Sequence, residues 1–219
     1  MVTIHLQQLD IPSGQRVLLH NVSWDEFEAI LKELGEHRST RIAFNKGLLE
    51  IMAPLPEHED DKEVISDLLK CFLEELDIEL RTLGSTTFKN PLMLKGIEPD
   101  QCFYIQNEPA IRGKKRLDLT VDPPLDLALE IDIPSRTHPE IYAALGVPEL
   151  WQWADGKIHL CQLQNGVYVE VPDSPSLPGW QLHLAISQYL EQSRIEGRNR
   201  AVQAFRQWIR SRLHDSPST

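Results

Sequence analysis

Between Leu127 and Ile133 the chain alternates in a way few folds can accommodate. Leu127, Leu129, Ile131 and Ile133 point one way along an extended segment, and Ala128, Glu130 and Asp132 point the other. A strand this apolar belongs inside a sheet, where uncompensated carboxylates are costly. Two acids on one face therefore demand a basic partner or a cation. Strand rise places Asp132 about 7 Å beyond Glu130.

The surrounding elements indicate what packs on this strand. Arg16–Val22 reads as extended, and Ser23 and Glu26 have the spacing of a capping box that opens a helix ending at Gly35. Ile42–Phe44 and Leu48–Met52 form two strands around Asn45-Lys46-Gly47. After Pro54-Leu-Pro56, a helix from Glu57 or His58 to Leu76 buries Val64, Ile65, Leu68, Leu69, Phe72, Leu73 and Leu76 on one face. Ser85–Phe88 and Gln101–Ile105 are strand-like. A short helix over Pro139–Leu145 stops at Gly146, and Glu149–Trp153, Ile158–Leu163 and Tyr168–Val171 are strands. From Glu191 to Leu213 a helical arm carries a stripe of Ile195, Val202, Phe205, Ile209 and Leu213 amid six arginines, weakened at Gly197. The order predicts a mixed α/β or α+β layered domain over residues 1–190 with a C-terminal helical arm and tail over 191–219.

Composition narrows the function. With 22 basic and 33 acidic residues the formal net charge is −11, so no broad basic face grips a polyanion. Nucleic-acid chemistry on this chain needs a local basic patch or bound metal. Cys71, Cys102 and Cys161 form no CxxC pair and predict neither a zinc site nor a disulfide framework. No apolar run approaches the ~20 residues of a membrane helix. The N-terminus lacks a secretory pattern, and the expectation is a reduced, cytoplasmic protein. No glycine-rich nucleotide loop is present.

What remains is a set of carboxylates. Metal-assisted phosphodiester hydrolysis needs a few acids converging on one or two divalent ions. Asp100, just before a strand, and Glu130, within another, supply a pair; Asp132, Glu59 and Glu50 could join them. So many acids near one point repel strongly without a cation.

Gly96-Ile-Glu-Pro-Asp100, then Pro124-Leu-Asp-Leu-Ala-Leu-Glu130, then Ser135, Tyr142 and Gly146-Val-Pro-Glu-Leu-Trp151 resemble the Uma-two family of endonucleases, within the restriction-endonuclease-like PD-(D/E)XK superfamily, over roughly Val22 to Gln188. The resemblance implies a mixed sheet flanked by helices and a divalent-metal nuclease centre acting on nucleic acid, DNA foremost. Asp100 matches the PD aspartate, Glu130 the (D/E)XK acid, and Glu59 the assisting helix acid. Mg²⁺ suits such an oxygen-only site, with Mn²⁺ a substitute. Where the superfamily pattern expects a lysine, two residues after the acid, this chain has Asp132. The family's relocated lysine, four residues before the tyrosine, is His138 here, a residue able to act as a base near neutral pH.

Each residue also has a plainer reading. Asp100 suits a turn after Pro99, Asp132 a pairing with Arg136, Glu59 a helix-dipole acid, and His138 a loop or cap. Lys62, Lys89, Lys114 and Lys115 are other candidate cations. The arm's arginines form a solvated face, or else a DNA-contacting or self-associating surface. The leading expectation is a Mg²⁺-dependent endonuclease with Asp100, Glu130, Asp132 and His138 in catalysis and Asp100, Glu130 and Glu59 on the metal. The alternatives are a catalytically inactive nucleic-acid-binding or regulatory module, and a homodimeric interaction protein.

Overall fold

A computed structural model describes residues 6–35, 39–84, 86–131 and 138–215. Two sheets lie at its centre. The first takes β1 (Arg16–Leu19), β2 (Arg41–Asn45), β3 (Leu48–Met52), β5 (Phe88–Asn90) and β6 (Lys95–Ile97) in the order β1-β3-β2-β6-β5, every pair antiparallel. The second takes β4 (Arg81–Thr82), β7 (Gln101–Tyr104), β8 (Leu127–Ile131), β9 (Glu149–Ala154), β10 (Lys157–Gln164) and β11 (Val167–Glu170) in the order β11-β10-β9-β8-β7-β4. Among the described residues only β8 and β9 pair parallel. A parallel pair needs a crossover, and α4 (Pro139–Leu145) lies in it, whereas the one-turn α3 (Glu108–Ile111) follows β7.

Local chemistry accounts for the first layer. Helix α1 (Trp24–Leu34) starts at a complete capping box: the Glu26 N–H donates to the Ser23 hydroxyl, and the Ser23 N–H donates to the Glu26 carboxylate at 2.7 Å. Its Phe27 stacks on Phe44 of β2, with ring centroids 4.5 Å apart. Lys46 and Gly47 both take positive φ, which closes the β2–β3 hairpin with a two-residue turn.

Strand β8 is buried on both faces. Leu127, Leu129 and Ile131 join the core with Ile65, Leu68, Leu69 and Phe72 of α2 (Pro56–Glu75). Ala128 faces the other way, among Cys102, Tyr104, Ile141 and Tyr142. The alternation expected from sequence is therefore present over Leu127–Ile131; Asp132 and Ile133 lie outside the described residues.

The C-terminal segment differs from the single arm expected over Glu191–Leu213. Helix α5 already begins at Leu182 and runs to Glu196, Gly197 takes positive φ, and α6 runs over Arg198–Asp215. Phe205 and Ile209 are fully buried in the core shared with α2, whereas Ile195 is 78% exposed. Four arginines reach back to α2: Arg194 to Asp61 at 2.8 Å, Arg198 to Asp67 at 2.6 Å, Arg206 to Glu74 at 3.4 Å and Arg210 to Glu75 at 2.6 Å. Phe205 and Ile209 of the stripe are thus packed within the chain, and these four arginines, still partly exposed, are paired with α2 acids. No helix among the described residues is long and apolar enough to cross a membrane.

Sequence patterning also missed β6. Lys95-Gly-Ile97 has neither alternation nor strong strand formers, and its pairing with β2 and β5 supplies the order instead. Gly96 is required there, because a β-carbon would sit 2.9 Å from the Phe27 Cζ and 3.3 Å from the Lys89 Cβ. Gly96→Ala is expected to cost about 1–3 kcal/mol by overpacking, seen as a lower thermal midpoint; an unchanged midpoint would show that Phe27 yields freely.

Candidate active site

Antiparallel register makes the site. Gln101 of β7 pairs with Leu129 of β8, so Asp100 and Glu130, one step further along, come face to face. Asp100 is buried and accepts the Ile131 N–H at 2.9 Å. Burial pushes its carboxyl above the ordinary range, against the opposing pull of the Ile131 N–H, the Arg41 charge and a hydrogen bond with the Glu130 carboxyl. Two carboxyls in hydrogen-bond contact share a proton or attract a cation.

Each acid has a fixed donor. The Tyr142 hydroxyl, fully buried on α4, donates to Glu130 Oε1. Burial and the neighbouring Glu130 push that hydroxyl well above its usual range, so it stays a donor. Arg41, at the start of β2, holds its Nε 3.7 Å from Asp100 Oδ1 and donates from Nη2 to Glu59 at 2.8 Å. The buried Arg41 Nε makes no hydrogen bond.

Glu59 is therefore close to Asp100 but on the far side of Arg41, with Lys62 donating to its other oxygen. Its position early in α2 suits the helix dipole as well. Asp132 lies outside the described residues, as does Arg136. Among the described residues no three His, Cys, Asp or Glu side chains form a ready metal cluster. Among the described residues, Asp100 and Glu130 bring carboxyl oxygens to one cleft that Glu50 and Glu98 also line.

His138 stands at the N-terminal end of α4 and lines the same cleft, with Arg41, Glu50, Glu98, Asp100 and Glu130. Its Nε2 is 3.6 Å from Glu50 Oε1 and its Nδ1 is 3.6 Å from Glu140 Oε1; these are ion-pair distances, too long for hydrogen bonds. Glu50 is buried on β3 and accepts from Arg16 at 3.0 Å. The Glu50 and Glu140 carboxylates hold His138 above its ordinary value despite burial. Burial raises the Glu50 carboxyl, but His138 and Arg16 outweigh it and keep it below the usual range.

Of the other candidate cations, Lys89 pairs with Glu28 and Lys114 with Asp122, both away from the cleft. Sequence reasoning missed Arg41 and Glu98. Glu98 is buried, accepting the Ile42 N–H at 3.1 Å and the Thr87 hydroxyl. Both residues acquire their place through partners more than ten residues distant, which no local pattern records.

Comparison with known proteins identifies the family. The family model Uma2, described as "Putative restriction endonuclease", matches residues 24–192. No curated protein matches the chain. Among solved structures, a crystal structure of a putative nuclease belonging to DUF820 from Anabaena variabilis ATCC 29413 matches with 14% identity and a TM-score of 0.47, covering 76% of this chain and 97% of that one. The family match spans most of the sequence, and the chain belongs to the Uma2 family.

Proposed function

We propose that this protein is a divalent-metal-dependent endonuclease that hydrolyses phosphodiester bonds in DNA, with Asp100 and Glu130 holding the metal. The observation that carries the reading is the β7–β8 register, which sets these two carboxyls opposite each other at the wall of one cleft, with Asp100 buried. Mg²⁺ is commonly held by one or two carboxylates, with water and substrate phosphate filling its remaining positions, so a two-acid donor set fits that ion and tolerates Mn²⁺. When bound, such an ion offsets phosphate charge and makes water a better nucleophile.

The chain's own groups then have separate tasks. The Ile131 N–H and the Tyr142 hydroxyl fix the orientation of Asp100 and Glu130, leaving their remaining oxygens for the cation. Arg41 supplies a permanent positive charge beside Asp100, in a chain whose sequence has Asp132 at the superfamily's lysine position. His138, aimed by Glu50 and Glu140, takes the proton from the attacking water as its base. A raised His138 value means this base works better as pH climbs through and above that value.

A second reading, a nuclease fold that binds nucleic acid without cutting it, draws on Asp132 in place of the lysine and on the absence of a three-residue metal cluster among the described residues. Turnover separates the two. Asp100→Asn and Glu130→Gln are each expected to lower Mn²⁺-supported cleavage of plasmid DNA by at least about a hundredfold, the scale of several kcal/mol of lost stabilisation. Cleavage by both variants at the native rate would sink the assignment, and a native protein that binds DNA but never cuts it would favour the second reading. Tyr142→Phe is expected to weaken Mn²⁺ binding by about tenfold or more in calorimetry, as loss of a ligand's hydrogen-bond partner does elsewhere.

The Glu50–His138 pair has its own pH signature. Glu50 is held below 4.5 and His138 above 6.5. The pair thus stabilises the fold fully between those values. It fades as pH falls through the lowered Glu50 value and as pH rises through the raised His138 value. Proton NMR is expected to place the His138 midpoint above 6.5 in the native protein and to lower it in Glu50→Gln. An equal midpoint in both would show that Glu50 does not set it.

A further inference from the structure

We propose that the turn between β5 and β6, together with the loop over 112–116, forms a docking surface for duplex DNA. Leu92 is 84% exposed, Met93 41% and Leu94 43%, an apolar tip at the open edge of the first sheet. Beside it lies the densest basic run of an otherwise acidic chain: Ile111–Leu117 holds four basic residues and no acid. The two segments are tied at their flanks, where the Asn90 side chain at the end of β5 donates to the Leu119 carbonyl at 3.3 Å.

Within the run, Arg112 is paired with Glu108 and Lys114 with Asp122. Lys115 and Arg116 are exposed and make no ion pair or hydrogen bond among the described residues. The nearest following acid, Asp118, is occupied by the Thr120 N–H at 2.9 Å and its hydroxyl at 2.7 Å. This contrasts with the C-terminal arginines, most of which are spent on α2 or on tryptophan rings. Lys46, also exposed, is tied to the tip through its N–H to the Leu94 carbonyl at 2.9 Å.

The surface borders the cleft. Lys95 Nζ donates to Asn45 at 2.9 Å, Asn45 donates to Glu140 at 3.2 Å, and Glu140 lies 3.6 Å from His138. Asp100, on the cleft wall, follows β6 by three residues in the chain. Cations about an exposed Leu–Met tip match the way apolar side chains enter a groove while basic ones hold phosphates. A single-stranded partner would call for exposed aromatic faces, and the tip and the basic run contain none.

This inference rests on the nuclease reading for its class of partner, and equilibrium binding tests it without cleavage. The full chain is titrated into a labelled 20-base-pair DNA duplex in EDTA, followed by anisotropy at several salt concentrations. Lys115→Glu with Arg116→Glu, and separately Leu92→Ser with Met93→Ser, are compared with Lys157→Glu with Arg200→Glu, a control of equal charge change elsewhere on the exposed surface. The basic pair is expected to weaken binding at least tenfold and to flatten the logarithmic salt slope by about two, as for two lost phosphate contacts. The apolar pair is expected to weaken binding with the slope unchanged, and the control to stay within about twofold of the native protein. Native affinity in both surface variants, an equal loss in the control, no duplex binding by the native chain, or a preference for single strands or RNA would each overturn the proposal. Surface-dependent binding without metal-supported cleavage would instead retain the surface and remove the nuclease reading.

Discussion

Two carboxyl groups that touch inside a protein are unstable company, and much of this structure is arranged around the contact of Asp100 with Glu130. Both cannot carry full charge without a proton between them or a cation on them. The β7–β8 register brings them together, and three elements from elsewhere manage the result. The Ile131 N–H takes one oxygen of Asp100, the buried Tyr142 hydroxyl takes one of Glu130, and Arg41 brings a positive charge from the neighbouring sheet. Removing any of these leaves a buried charge less compensated, which costs more than the contact contributes while intact. Under the nuclease reading proposed above, a bound cation would complete this compensation.

The parts of this arrangement that were legible in the sequence are those set by short-range chemistry. Ser23 and Glu26 give the capping box of α1, and Pro139 and Gly146 bracket α4, with Gly146 in the left-handed region as its cap. The alternation of Leu127–Ile131 exposes the two faces of β8 before any coordinates are known. Glu130 was legible because an acid in an apolar strand is conspicuous, and Asp100 through a Pro-Asp step that resembles the family's motif. Arg41 was not, since nothing near it in the chain distinguishes it from a surface arginine; its role comes from acids 18 and 59 residues later. The Glu149 of the GVPELW run is a different lesson. It is buried and accepts from Trp151 at 3.0 Å, Ser174 at 2.9 Å and the Ser176 N–H at 2.7 Å, so a residue that helps identify the family serves its framework.

Charge is distributed with the same division between framework and site. An excess of acid would repel itself along α2, and the α5–α6 arginines lie across that face. Individually such exposed pairs contribute little, but here they overlie a shared core containing Phe72, Phe205 and Ile209, and packing supplies most of the hold. The sequence pattern could not distinguish this from a free arm, because amphipathic periodicity reports that a face is covered without saying by what.

Helix α4 joins these themes. A parallel β8–β9 pair cannot be closed by a hairpin, so the chain must leave the sheet after the acid strand and return beside it. That crossover carries Tyr142 onto Glu130 and His138 to Glu50 of β3, while Glu140 receives Asn45 of β2. One seven-residue helix therefore touches the acid pair with one turn and the first sheet with another. Tyr142 is oriented inward by burial, whereas His138 is held at the cleft by charge. A topological requirement of the second sheet thus delivers both a fixed donor and a titratable group to a cleft that neither sheet could line alone.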